Sequence, residues 1–196
     1  MDKKNLPKED AKSKIILHAT SIFSQKGYAA TSISDISKAT GLSKSHIYYY
    51  FENKEMLFVF LAKKSMTEWR EKWQRTTISF ENATEKLYGI AKHVLYNFET
   101  PLLQAGREMA TNGQVDPNTV QNLYTDLAAV PYETYLEIFQ EGIEGGEFSI
   151  KNIQETTMLF SSWMGGLYAS IGILEFETLE RLFIEAVTIF LESIKP

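Results

Sequence analysis

Apolar residues recur at helical spacing along the chain, and turn residues cut them into about nine segments. Between Lys8 and Gln25, the residues Ile15, Ile16, Ala19, Ile22 and Phe23 stand at i, i+3, i+4 and i+7, which predicts an amphipathic helix stopping at Gly27. Leu57, Phe60, Leu61, Met66, Trp69 and Trp73 mark a long helix from Lys54 to about Thr76, roughly 30 Å at 1.5 Å per residue. Leu87, Ile90, Ala91, Val94, Leu95 and Phe98 mark another over 83–98. Pro101 breaks that pattern, and a shorter helix from about Leu102 to Thr111 ends at Asn112-Gly113. Asp116-Pro117 then opens a helix as cap and first-turn proline, running toward Ile143 with a kink expected at Pro131. The run Glu144-Gly145-Gly146-Glu147-Phe148 reads as a turn before two final helices, about 152–174 and 177–194. The fold class is all-α.

The densest local signals lie in residues 32–54. Ser32 and Asp35 form a Ser-x-x-Asp capping box, so a helix starts near Ile33, buries Ile33 and Ile36, and ends at Thr40-Gly41. Ser43 caps a second helix, in which Ile47 and Phe51 point inward at i and i+4. Lys44, Ser45, Tyr48 and Tyr49 are left outside, a set suited to phosphates and base edges. Asn53 caps a third helix whose first turn holds Lys54, a cation at the unfavourable end of the helix dipole and therefore expected at a phosphate. The three caps fall 11 and 10 residues apart. Such crowding of helix starts points to a helix-turn-helix that binds DNA.

These residues resemble the TetR family of bacterial transcriptional repressors over roughly residues 10–60. The matching positions are Phe23, Gly27-Tyr28, Thr31-Ser32-Ile33, Asp35-Ile36, Gly41-Leu42-Ser43-Lys44, Ile47 to Phe51 and Asn53-Lys54-Glu55. Ser45 stands where the family often has glycine, Tyr50 where it often has histidine, and His46 where it often has threonine, asparagine or alanine. The resemblance implies a three-helix DNA-binding head over 1–54 and a helical effector-binding and dimerisation domain over 55–196. Lys44, Ser45 and His46 are expected to meet bases, and Tyr48, Tyr49, Lys54 and the helix start at Thr31 and Ser32 to meet phosphates, with Ser43 a further DNA-binding candidate.

Charge supports that division. The chain carries a net −5, yet residues 1–54 carry +4 and the remainder −9, so a basic head is drawn to DNA while an acidic body is kept off it. The absence of cysteine removes disulfides and thiolate chemistry, and the opening MDKKNLPKEDAKSK lacks the apolar segment of a secretory signal, so a cytoplasmic location is expected. His18, His46 and His93 lack ligand spacing, and no phosphate-binding glycine loop or nucleophile motif is present, so neither a catalytic site, a metal nor a cofactor is expected.

Thr156 to Leu174 carries no charge over 19 residues, but its threonines, serines and glycines and its acidic flanks suit a helix buried on two sides rather than one in a membrane. One side would meet a second subunit, since one recognition helix contacts too few bases and two heads about 34–36 Å apart read a palindromic operator. The TetR resemblance implies a homodimer through the last two helices, with Phe160, Met164, Gly165, Tyr168, Leu182, Phe183, Ala186, Val187 and Phe190 at the interface. Trp69, Trp73, Tyr88, Tyr96, Phe98, Tyr124, Tyr132, Tyr135, Phe139 and Trp163 are candidates for a pocket holding a small apolar or amphipathic effector, and Glu108 and Glu99, the nearest acids, would suit a cationic one. The alternative is a DNA-binding protein of the same fold whose body docks a protein partner instead.

Overall fold

A computed structural model describes residues 8–97 and 102–196, in which helices alone form regular structure. They are α1 (Lys8–Lys26), α2 (Ile33–Thr40), α3 (Lys44–Tyr50), α4 (Lys54–Thr77), α5 (Ala83–Asn97), α6 (Leu103–Thr111), α7 (Pro117–Glu144), α8 (Ile153–Ala169) and α9 (Phe176–Ser193). Helix α7 continues through Pro131, whose missing N–H leaves the carbonyl four residues earlier without its usual donor. The expected helix over 152–174 stops instead at Ala169. The chain turns there, with the N–H of Ser170 returning to Leu167 and Gly172 at φ +82°, in the left-handed region that favours glycine.

The helices divide into two compact units. The first contains α1, α2, α3, α4 as far as Ser65, α6 and α7 as far as Thr125. Ala11, Ile15, Ala19 and Phe23 are buried at every fourth position of α1, so one stripe of that helix faces the core. Ile36, Ile47, Phe51, Leu57 and Phe58 are buried in the same unit, and Phe58 stands edge-on to both Phe23 and Tyr28. Leu102, Ala105 and Met109 bury the inner face of α6 in this unit, which therefore extends beyond the helix-turn-helix.

The second unit holds the rest of α4 and α7 together with α5, α8 and α9, and its core is aromatic. Phe160 lies edge-on to Tyr135, Phe139 and Phe190 at ring separations of 5.0–5.4 Å. Leu87, Ile90, Val94, Leu179, Phe183 and Val187 complete the packing of α5 on α9. The 145–148 turn fastens the unit at a distance. The Glu147 carboxylate accepts from the N–H groups of Ala83 and Thr84 at 2.8 and 3.0 Å, capping α5 from 63–64 residues away.

Candidate nucleic-acid interface

The helix-turn-helix is held by side chains that answer its free backbone groups. Ser32 Oγ accepts from the N–H of Asp35 at 3.2 Å, while the Asp35 carboxylate accepts from the N–H and hydroxyl of Ser32 at 3.0 and 2.6 Å. The Ser32 hydroxyl, its backbone N–H and, further out, Lys26 at 3.4 Å hold the Asp35 carboxyl down at about 2, so the box stays charged at neutral pH. Gly41 makes the turn at φ +69°, and its N–H reaches Ser37 O at 2.9 Å. Two hydroxyls then clamp that turn. Ser37 donates to Leu42 O at 2.6 Å, and Thr40 donates to Ile36 O at 2.7 Å while accepting from Leu42 N–H at 3.3 Å.

Ser43 opens α3 by accepting from the N–H of His46 at 3.2 Å, and Ile47 is fully buried beneath it. With the inner face fixed by Ile47 and Phe51, the opposite face carries Lys44, Ser45, His46, Tyr48 and Tyr49, all exposed. Ring contacts with Tyr50 hold His46 and Tyr49, at centroid distances of 6.3 and 5.0 Å.

Two expected phosphate ligands are placed elsewhere. Thr31 is buried and its hydroxyl donates to Gly27 O at 2.6 Å, closing the bend between α1 and α2. Lys54 turns inward: Nζ donates to Tyr28 O at 2.9 Å and to Thr31 O at 3.0 Å, and lies 4.3 Å from the centre of the Tyr28 ring. Burial lowers its pKa. A lysine at the start of a helix opposes the dipole, but here two carbonyls and a π-face offset that cost. Burial, and then the nearby Glu55, raise the Tyr28 phenol to about 12.

Glu108, expected beside an effector, belongs to the same bend. Its carboxylate accepts from the N–H of Ala29 at 3.3 Å and lies over Gly27, where a Cβ would overlap it. No signal within the sequence pairs residues 79 apart, and the turn clamps of Ser37 and Thr40 were equally illegible from spacing. Tyr124, also proposed for the pocket, is exposed on the same unit.

In the second unit the other pocket candidates scatter. Trp69 and Trp73 are 4% exposed and pack on buried His93, with ring distances of 4.8 and 5.5 Å. His93 Nε2–H donates to Trp69 O at 3.1 Å, since a carbonyl can only accept, and Nδ1 therefore accepts from the Asn97 amide at 3.0 Å. Burial lowers the His93 pKa, Lys72 adding to this while the bond to Trp69 opposes it. Tyr135 and Phe139 are core, Tyr132 is half-buried, and Trp163 is 43% exposed against the edge of Phe190. Phe98 and Glu99 lie outside the described residues. Tyr88 and Tyr96 come together on one open groove of about 460 Å³, which also takes in Phe80 and Lys92, two residues without a signal in the sequence.

The expected dimer face needs the same correction. Phe160, Met164, Phe183, Val187 and Phe190 are at most 6% exposed and fill the core of their own chain, because aromatic packing within the unit claims them. Of the remaining residues assigned to that face, Gly165 is exposed and Tyr168, Leu182 and Ala186 are half-buried. Exposed apolar area on α8 belongs to Met158, Leu159 and Trp163. Among the described residues no helix is long and apolar enough to cross a membrane.

Comparison with known proteins agrees with this geometry. Residues 15–59 match the family described as bacterial regulatory proteins, tetR family, and residues 65–196 match the QacR-like protein, C-terminal region. The HTH-type transcriptional regulator QacR of Staphylococcus aureus is 26% identical over 163 residues, covering 80% of this chain and 83% of QacR. The biofilm operon icaADBC HTH-type negative transcriptional regulator IcaR of Staphylococcus epidermidis is 45% identical over 47 residues, about a quarter of each chain. A solved transcriptional regulator from Cytophaga hutchinsonii shares the fold at TM-score 0.76 and 22% identity, over 94% of this chain and 98% of that one. With a capped helix-turn-helix near its start and a QacR-like region over residues 65–196, the chain belongs to the tetR family, whose members are transcriptional regulators and not enzymes.

Proposed function

We propose that the protein is a cytoplasmic, homodimeric repressor that binds a palindromic operator and releases it when a small ligand occupies the body. The observation that carries the reading is the outer face of α3. Lys44, Ser45, His46, Tyr48 and Tyr49 stand exposed on a helix whose opposite side is locked by Ile47 and whose start is fixed by Ser43. Lys44, Ser45 and His46 meet base edges in the major groove, and the two tyrosine hydroxyls donate to phosphates. The buried Thr31 and the inward Lys54 position the start of α2 rather than touch DNA.

One stripe of α8 supports dimerisation. Met158, Leu159, Ser162, Trp163 and Gly166 recur at i, i+3/4 and i+7/8 on its exposed side, and a Cβ added at Gly165 or Gly166 would meet nothing, leaving room for a second helix. The groove on α5 supports a ligand response, and the QacR-like match over 65–196 supports the same reading of the body.

The test is fluorescence anisotropy with a labelled duplex from the DNA upstream of the protein's own gene, titrated across salt. The expected result is binding on the order of 10³-fold or more tighter than to random duplex, with two or four chains per site and a steep salt slope. Lys44→Ala lowers the preference for that duplex. Equal affinity for the upstream and random duplexes would overturn the operator reading.

A further inference from the structure

The groove on the second unit runs along one face of α5. Glu85, Tyr88 and Gly89, Lys92 and His93, and Tyr96 and Asn97 follow one another at helical spacing, so their side chains line a single strip. Phe80 lies over Gly89, where a Cβ would overlap its ring, and is stacked on Trp73 at 5.9 Å. The floor is therefore an aromatic ring in place of a helix side chain. At about 460 Å³ the space matches sites that hold small organic molecules.

The polar groups around it decide the chemistry, because all but one are engaged within the protein. Thr76 donates to Lys72 O. Glu85 accepts from the N–H of Glu81. The hydroxyl of Tyr88 pairs with Thr188, and that of Tyr96 donates to Glu180. His93 is bonded on both ring nitrogens, to Trp69 O and Asn97, and Asn97 also accepts from Lys72. Lys92 has no such partner among the described residues, and its ammonium is exposed at the groove. What the groove offers a ligand is thus the faces of Phe80, Tyr88 and Tyr96 and one ammonium without a partner of its own.

We infer that the groove binds an aromatic anion, with its ring system against Tyr88, Tyr96 and Phe80 and its carboxylate, sulfonate or phenolate paired with Lys92. A cation would meet the unpaired Lys92 ammonium as a like charge, while Glu85 and Glu180 each already accept one hydrogen bond, from the N–H of Glu81 and the hydroxyl of Tyr96. A neutral arene gains the ring contacts and leaves the ammonium unpaired. Binding itself rests on the groove; its consequence at DNA rests on the ligand-responsive reading above.

Three compounds of one skeleton test this: 1-naphthoate, 1-naphthylmethanol and 1-naphthylmethylamine, titrated into the full chain by calorimetry. The carboxylate is expected to bind about tenfold more tightly than the amine, with the alcohol between them and the difference shrinking as salt is raised. Lys92→Gln should remove the preference for the carboxylate without weakening the alcohol, and Lys92→Glu should reverse it. An unchanged unfolding midpoint confirms that either variant is folded. Equal binding of the three compounds, no binding of any, or a preference that survives Lys92→Gln would overturn the inference. Operator anisotropy with saturating naphthoate separates the two readings. Lys92-dependent binding with release of DNA upholds both, whereas Lys92-dependent binding without release upholds the groove and overturns the ligand response through it.

Discussion

The bend at residues 27–31 in the head and the turn at 145–148 in the body each reverse the chain beside a helix start, and they are fixed in opposite ways. The first receives side chains. Lys54, Glu108 and Thr31 converge on its backbone, supplying donors for three carbonyls and an acceptor for one N–H. The second sends side chains out: Glu147 caps α5, and Phe148 lies over Gly142 in contact with the aromatic core. A bend that collects polar contacts keeps a defined shape while its outer surface stays open to a partner such as DNA. A turn plugged by a ring depends on the volume of one cavity instead.

Filling that cavity gives the largest expected effect. A methyl group at Gly142 would overlap the buried Phe148 ring, which cannot swing into solvent, so Gly142→Ala should destabilise the body by about 1–3 kcal/mol. All three tryptophans, at 69, 73 and 163, lie in this unit, so their emission during urea unfolding reports on the body alone. An unchanged midpoint would show that the ring has room to move and that the turn is not volume-limited.

Lys54→Ala tests the head's side of the comparison with a smaller effect. The two hydrogen bonds it loses come from a charged group that is partly exposed, so the cost is about 1 kcal/mol. Faster amide exchange from Ala29 to Asp35 is expected, with operator affinity lowered at every salt concentration and the salt slope unchanged. A slope smaller by about 1 would instead assign Lys54 to a phosphate.

That residue marks where the sequence could and could not be read. Caps are local, so Ser32, Asp35, Gly41 and Ser43 announced α2, the turn and α3 within a residue, and the outer face of α3 followed from Ile47 and Phe51 alone. The all-α class and most helix limits came from the same short-range periodicity. Lys54 looked like a phosphate ligand because its helix position is unfavourable, yet the carbonyls that explain it are 23 and 26 residues away. The body was harder for the same reason. An apolar stripe does not say which neighbour covers it, so Phe160, Met164, Phe183, Val187 and Phe190 read equally well as interface or core, and packing with α5 and α7 decided for the core. Lys92 could be singled out only once its neighbours' hydrogen bonds were known.

Mild acid should separate the two units, through one buried histidine. In the head, the capping box keeps Asp35 ionised down to about pH 2, so lowering the pH from 7 toward 5 leaves that contact intact. In the body, His93 is held neutral, donating through Nε2 to Trp69 O and accepting at Nδ1 from Asn97, with Lys72 on α4 and Lys92 on its own helix as the nearby cations. Its folded pKa lies below the ordinary 6.5, so as pH falls through 6.5 the unfolded chain takes up this proton before the folded one does. The stability contributed by neutral His93 is thus complete above 6.5 and declines below it until the folded pKa is reached, at no more than about 1.4 kcal/mol per pH unit. The tryptophan-detected urea midpoint should fall across that window, and His93→Gln, which can still donate to Trp69 O, should flatten the decline. A decline of equal size in the variant would place the acid sensitivity on other groups of the body and remove His93 from the comparison.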